Sequence, residues 1–294
     1  MKHFLSAISQ GSDTGPRMSV VVNTYEQPEY LRRVLLSLEN QLIAGDEILI
    51  ADDGSGKSTR DVVNACKARQ SFRVEHVWEE HRGFRRSHIL NAAIARAQSE
   101  YLIFLDGDSV PHPKFLADHR RVARKGCYIQ GHRVCFTQNF SRDFAADGKI
   151  RNQSRALFGK GVESGGKFLF RWPAPVLRAR TDLRGVRGCN LAMWRADLIR
   201  VNGYNEDFEG WGREDSELAL RLMNSGVQWL DVRGWAVCYH LWHPPADRSQ
   251  LDKNIGHLDV ALAQKSTRCE NGLNLHVAAN VTRAPQQSAA KSPA

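Results

Sequence analysis

The chain has 294 residues, 42% of them hydrophobic and 25% charged. This is the balance of a soluble globular protein, at a length that suits one large α/β domain or two tightly joined halves. No apolar run reaches 18 residues and the patch from Phe4 to Ile8 is short, so neither a spanning helix nor a secretory leader is expected. The net charge of +9 suits a well-solvated surface or anionic partners such as phosphates, an anionic glycan or an anionic membrane face. No zinc-finger spacing, basic zipper or RNA-binding signature accompanies it, so nucleic acid is not expected as a partner. The six cysteines form no CxxC pair and read as free thiols in a reducing compartment.

In chain order, residues 1–17 read as a flexible N-terminal arm. Residues 18–24 (MSVVVNT) form the first predicted strand. A helix starts at Gln27-Pro28, with Leu31, Val34, Leu35 and Leu38 at helical spacing. Strands over 47–51, 74–78 and 101–105 then alternate with helices over 59–68 and 86–97. Four such alternations predict βαβ units and a mainly parallel, Rossmann-like sheet flanked by helices. Past about residue 125 the rhythm breaks, and 136–180 shows no clear period. Regularity returns with a strand over 188–194, a short helix to Val201, a Gly-punctuated loop and a helix over 214–224. Strands over 227–230 and 235–239 and a helix over 247–263 complete the pattern. The expected organisation is a first half at 18–125, a second half of the same domain at 126–265, and a tail at 266–294 whose end is disordered.

The chemistry concentrates at strand ends. The run YLIFLDGDSVPHP reads as a buried strand that ends in Asp106 and Asp108. In an open α/β sheet ligands bind beyond the carboxyl ends of the strands. Two carboxylates there need a cation, a donor group or water. A divalent metal with a phosphate-bearing ligand satisfies that need. Thr24 and Glu26 end the first strand and Asp52 and Asp53 the second, so acidic groups from separate segments meet on one edge. Each aspartate could alternatively serve as a helix cap, DDGS being a good capping sequence.

The ordered series VVVNTYEQPEYLRRVLLSL, ILIADDGS, LNAAIARAQSEYLIFLDGDSVPHP and GWGREDSELALRL resembles the family-2 glycosyltransferases of the GT-A fold. The last segment is similar to the acceptor-side motif of β-1,4-galactosyltransferases and bacterial chondroitin polymerases. The resemblance spans roughly residues 18–245. It implies that Asp52 and Asp53 contact the uracil or ribose of a UDP-sugar and that Thr24 and Glu26 frame the nucleotide. Asp106 would contact ribose or donor sugar, and Asp108 would bind Mn²⁺ or Mg²⁺. Asp215 is the implied catalytic base, Glu214 its acceptor-binding partner, and Trp211 the tryptophan that moves over donor and acceptor. His240 is the implied metal-ligand histidine, with His243 as competitor. Two departures stand out. Ile89-Leu90-Asn91 replaces the family's Ala-Arg-Asn, leaving Arg85 or Arg86 to supply the cation and Asn91 in the nucleotide-sugar site. Arg213 stands where relatives often have glycine.

The expected reaction follows. A metal stabilises the departing diphosphate, and a carboxylate at a helix N-terminus takes the acceptor proton. One base opposite a leaving group suits a single displacement with inversion. The expected partners are a UDP-sugar donor, a glycan or glycolipid acceptor of surface polysaccharide or lipopolysaccharide synthesis, and an anionic membrane surface met peripherally by a cytoplasmic protein. The alternatives are a sugar-phosphate nucleotidyltransferase, whose Gly-rich phosphate loop is missing after the first strand, and a nucleotide-sugar or glycan-binding module without turnover.

Overall fold

The computed structural model describes residues 15–144 and 161–277. Most of the expected N-terminal arm, residues 145–160 of the aperiodic stretch and the end of the tail lie outside that range.

The first half follows the hydrophobic pattern: β1 (Met18–Thr24), α1 (Pro28–Glu39), β2 (Glu47–Asp52), α2 (Lys57–Arg69), β3 (Arg73–Trp78), α3 (Arg86–Arg96) and β4 (Tyr101–Asp106). The four strands lie in the order β3-β2-β1-β4, all parallel. β1 shows why. Val20 and Val22 enter the core on one face with Leu31, Val34, Leu35 and Leu38 of α1. Val21 enters the opposite core with Leu49, Phe104 and Ile89 and Leu90 of α3. All are essentially inaccessible. Such burial stabilises by about 1.5–3 kcal/mol per large aliphatic side chain, which leaves the strand no face for solvent. Register places Thr24 beside Asp52 and Asn23 beside Asp106, so the strand ends share one edge.

The second half is more structured than its sequence suggests. It comprises β5 (Ser109–Pro111), α4 (Phe115–Val122), β6 (Cys127–Gln130), β7 (His132–Phe136), α5 (Gln138–Asp143), β8 (Val162–Ser164), β9 (Val176–Arg180), β10 (Asn190–Trp194), α6 (Arg195–Val201), α7 (Glu214–Asn224), β11 (Gln228–Arg233), β12 (Val237–His240) and α8 (Leu251–Gln264). β10 adds antiparallel to β4 and extends the sheet to eight strands, β3-β2-β1-β4-β10-β6-β11-β9. A second sheet runs β5-β12-β7-β8. Its β5–β12 ladder pairs Ser109 with His240 and so carries His240 to the residue after Asp108. The helix expected over 247–263 starts only at Leu251.

Where the expected tail begins, the chain packs instead. Leu273 is buried, its backbone N–H donates to Asn202 O at 2.9 Å, and Glu206 N–H donates to Asn271 O at 3.0 Å. Among the described residues no helix is long and apolar enough to cross a membrane. All six cysteines are free.

Candidate active site

At the first three strand ends the turn geometry separates groups with partners from groups without. Asp52 is fully buried. Its Oδ1 accepts from Ser55 N–H at 2.8 Å and its Oδ2 meets His76 Nε2 at 2.8 Å, which makes it the anchor of the DDGS turn. Asp53 is different. Its Oδ2 accepts from the Arg85 backbone N–H at 2.9 Å, while its Oδ1 is buried with no partner among the described residues. The Thr24 hydroxyl is equally unpartnered. Buried polar atoms are normally satisfied, so an orphan calls for a partner such as water, an ion or a ligand. Glu26, in the left-handed region at φ 47°, donates its N–H to Ser55 Oγ and accepts from Gly56 N–H, tying the β1–α1 loop to the β2–α2 loop. Tyr25 stacks on His81 with ring centroids 4.4 Å apart.

Burial raises the Asp53 carboxyl to about 6, with nearby Glu79 adding to the shift and the Arg85 N–H opposing it. Because the folded value lies above the unfolded one, the folded state holds this proton more tightly, and stability is lost as pH rises from about 4 through 6. Asp53→Asn keeps an acceptor for Arg85 and removes the charge. The variant is therefore expected to melt higher than wild type above pH 6, with the difference gone near pH 4, while binding UDP more weakly. Paired thermal melts and UDP titrations across that range check it. A variant destabilised at every pH would contradict the assignment.

Gly107 seats the DGD turn. Its N–H donates to Asn23 O at 2.7 Å, and a Cβ there would stand 2.9 Å from that oxygen. Beyond it, Asp108 meets both histidines: His243 Nε2 lies 3.1 Å from Oδ2 and His240 Nε2 lies 3.6 Å from Oδ1. Both candidate histidines thus stand at the Asp108 carboxylate. Burial pushes the Asp108 carboxyl up, but the His243 hydrogen bond and the charge of His240 prevail and hold it below the ordinary range. Burial lowers His240, against the pull of the Asp108 charge. The hydrogen bond to Asp108 pushes His243 up to about 9. One donor atom from each of the three residues falls within 4.8 Å of the others. An oxygen with two imidazole nitrogens is a fitting set for Mn²⁺ and accepts Mg²⁺ less readily.

Arg86 links this edge to the second half. Although almost wholly buried, it reaches Asp106 Oδ1 with Nη2 at 3.2 Å, and Glu214 Oε1 and Asp215 Oδ1 with Nη1 at 3.2 and 3.0 Å. Asp215 Oδ2 accepts from Gly188 N–H at 2.7 Å. Each Asp215 oxygen keeps a further lone pair. Burial and the charge of Asp215 push Glu214 up to about 7, against the pull of Arg86. Glu214 and Asp215 open α7, where the helix dipole favours negative charge. α7 itself is fixed by a fully buried pair in which Arg221 Nε and Nη2 donate to the two Glu217 oxygens. Arg213 caps α7 at φ 76°, a left-handed conformation that favours glycine. Trp211 lies between Gly210 at φ 72° and Gly212 at φ 111°, with the Arg248 guanidinium 4.9 Å above its ring. It borders a cleft of about 330 Å³ that Phe84, Glu209 and Gln250 also line.

Two expected placements need correction. Asn91 is inaccessible, and both of its polar atoms are taken by protein neighbours. Its Nδ2 donates to Tyr204 O and Glu206 Oε1, and its Oδ1 accepts from Tyr204 N–H, so it fastens α3 to the loop after α6. Of the two arginines, Arg85 turns to Glu79 at 3.2 Å, and Arg86 serves the carboxylates of α7. Gly188 went unsuspected: a Cβ there would stand 2.4 Å from both Asp215 oxygens and from Arg86 Nη2. His81 and Glu79 were missed as well, since they follow β3 in a polar loop with no motif.

The family model described as glycosyl transferase family 2 matches residues 19–180, and that described as N-terminal domain of galactosyltransferase matches residues 173–244. The validoxylamine A glucosyltransferase of Streptomyces hygroscopicus subsp. limoneus is 31% identical over 241 residues, covering 76% of this chain and 51% of that protein. The chondroitin synthase of Escherichia coli is 24% identical over 264 residues, covering 84% and 38%. The chain spans about half or less of the length of these relatives. Among solved structures, the mannosyltransferase PcManGT of Pyrobaculum calidifontis, in complex with GDP-Man and Mn²⁺, superposes with TM-score 0.53 at 18% identity, covering 93% of this chain and 77% of that one. S. aureus TarS 1-349 superposes with TM-score 0.59 at 16% identity, covering 85% and 68%. The shared fold is GT-A.

Proposed function

Because the chain belongs to glycosyl transferase family 2, we propose that it moves a hexose or N-acetylhexosamine from a UDP-sugar to a glycan or glycolipid acceptor, with inversion. One observation carries this reading. Arg86 joins Asp106 of the DGD turn to Glu214 and Asp215 of α7, so donor-side and acceptor-side acids form one buried cluster although they are more than a hundred residues apart.

Asp53 and Thr24 offer unpartnered oxygens to the base and ribose. Asp108, His240 and His243 would hold Mn²⁺ or Mg²⁺, whose charge would stabilise the diphosphate as it leaves. Asp215, held on both sides by Gly188 and Arg86, accepts the proton of the acceptor hydroxyl while that oxygen bonds to the anomeric carbon and the bond to UDP breaks. Attack opposite the leaving group turns an α-linked donor into a β-glycoside. Glu214 shares the cluster's negative charge with Asp215 and lies where an acceptor hydroxyl would be oriented. Trp211, with a positive-φ glycine on each side, has the freedom to shift between open cleft and bound sugar.

The acceptor belongs to bacterial surface polysaccharide or lipopolysaccharide, met from the cytoplasmic side. A peripheral membrane contact through residues 120–125 is weakened by pairing, since Arg120 bonds Asp46 and Lys125 bonds Glu100. Nucleoside-diphosphate release from a panel of UDP- and GDP-sugars, with Mn²⁺ and oligosaccharide acceptors, tests the donor. Release only from GDP-sugars would overturn the nucleotide, and tight binding without turnover would favour the binding module.

A further inference from the structure

Outside the site described, a second cluster of metal-ligating groups joins three distant parts of the chain. His88 lies on α3, Glu206 on the loop after α6, and His276 in the short helical turn at 273–277. Each offers one donor atom, and the three atoms fall within 4.8 Å of one another. His276 Nε2 stands 2.7 Å from Glu206 Oε1, and the two imidazole rings meet edge to face with centroids 4.6 Å apart. We propose that His88, Glu206 and His276 form a zinc site, separate from the Asp108 cluster, that fastens the C-terminal segment 269–277 to α3.

His88 Nδ1 lies against the Glu79 carboxylate, so Nε2 is the His88 nitrogen assigned as the ligand. Asn91 Nδ2 donates to Glu206 Oε1 at 2.8 Å and orients that carboxylate, leaving Oε2 open. Histidine–carboxylate pairs of this kind orient metal ligands and raise their basicity. Two imidazole nitrogens and one carboxylate oxygen are a common zinc set, with water in the fourth position. Ligands of a tetrahedral zinc stand about 3.4 Å apart at bond lengths of about 2.0–2.2 Å, which small side-chain rotations reach from the present spacing. The ordinary alternative is a pair of independent salt bridges, His88 with Glu79 and His276 with Glu206. That alternative leaves the two rings edge to face without a common partner.

The site would close a clasp already begun by the backbone. Asn202 Nδ2 donates to Cys269 O at 3.0 Å and its Oδ1 accepts from Asn274 N–H at 2.9 Å. The same loop runs on from Glu206 to Trp211, so the clasp sets the base of the segment that carries the tryptophan. This inference stands whichever sugar is transferred.

The test uses the full chain carrying His240→Ala and His243→Ala, which disables the first metal site. After chelation and desalting, Zn²⁺ is added and bound metal is counted by elemental analysis, alongside thermal melts with and without Zn²⁺. One equivalent of zinc is expected, with a Zn²⁺-dependent rise in Tm; Co²⁺ in place of zinc should give the visible absorption of a tetrahedral centre. Adding His276→Ala should abolish the equivalent, the rise and the absorption. Glu206→Gln, which keeps the acceptor for Asn91, should do the same if His276→Ala does not fold. Zinc binding below one equivalent in the parent, or retained in the Glu206→Gln protein, would overturn the site.

Discussion

Asp215→Asn is expected to lower the transfer rate by about 10²–10⁴-fold, the usual contribution of a positioned general base, while leaving UDP affinity in Mn²⁺ unchanged. The amide can still accept from Gly188 N–H, so the turn before β10 stays in place, but it cannot take up the acceptor proton. It also removes one negative partner of Arg86, which retains Asp106 and Glu214. Asp215→Ala would be a poorer choice, because stripping one partner from a buried ionic network can cost about 3–5 kcal/mol and confuse stability with rate. Donor turnover and UDP calorimetry on the same preparation check the split. A near-normal kcat in Asp215→Asn would show that the proton goes elsewhere.

Asp108→Ala should act on binding. It removes the oxygen around which both histidines gather and the partner that holds His243 protonated up to about pH 9. Loss of a second-shell partner alone typically weakens metal binding about 10–100-fold, and loss of the ligand itself should exceed that. Mn²⁺ should then no longer enhance UDP binding, while the metal-independent affinity proposed for Asp53 and Thr24 should persist. Titration of UDP with and without Mn²⁺, in both proteins, checks this. An unchanged Mn²⁺ enhancement in the variant would remove Asp108 from the metal site.

The donor half was legible because its strands are buried on both faces and its helices carry clean apolar stripes, as with Val20 to Val22 and Leu31 to Leu38. The following half was harder for a specific reason: its buried faces carry polar groups. α4 buries Asp118 against Arg171 at 2.7 Å and His119 against Asn190 Oδ1 at 3.0 Å, so its inward face does not read as apolar. β5 and β8 have three residues each, too few to show a period. At the site, the carboxylates and histidines announce themselves by type and position. Arg86 could be suspected only as one of two adjacent cations, since two of its three carboxylate partners lie about 130 residues away. Gly188 carries no sequence signal, because its role is the room it leaves for Asp215. Asn91 misled because an asparagine at a familiar place in a motif looks the same whether it faces a ligand or a neighbouring loop.

The most direct test of the central claim is the configuration of the product. With Mn²⁺, an α-linked UDP-sugar and an acceptor oligosaccharide, proton NMR of the purified product should show a new β-glycosidic anomeric signal, with one UDP released per bond formed. An α-glycoside would contradict a single displacement with Asp215 as base.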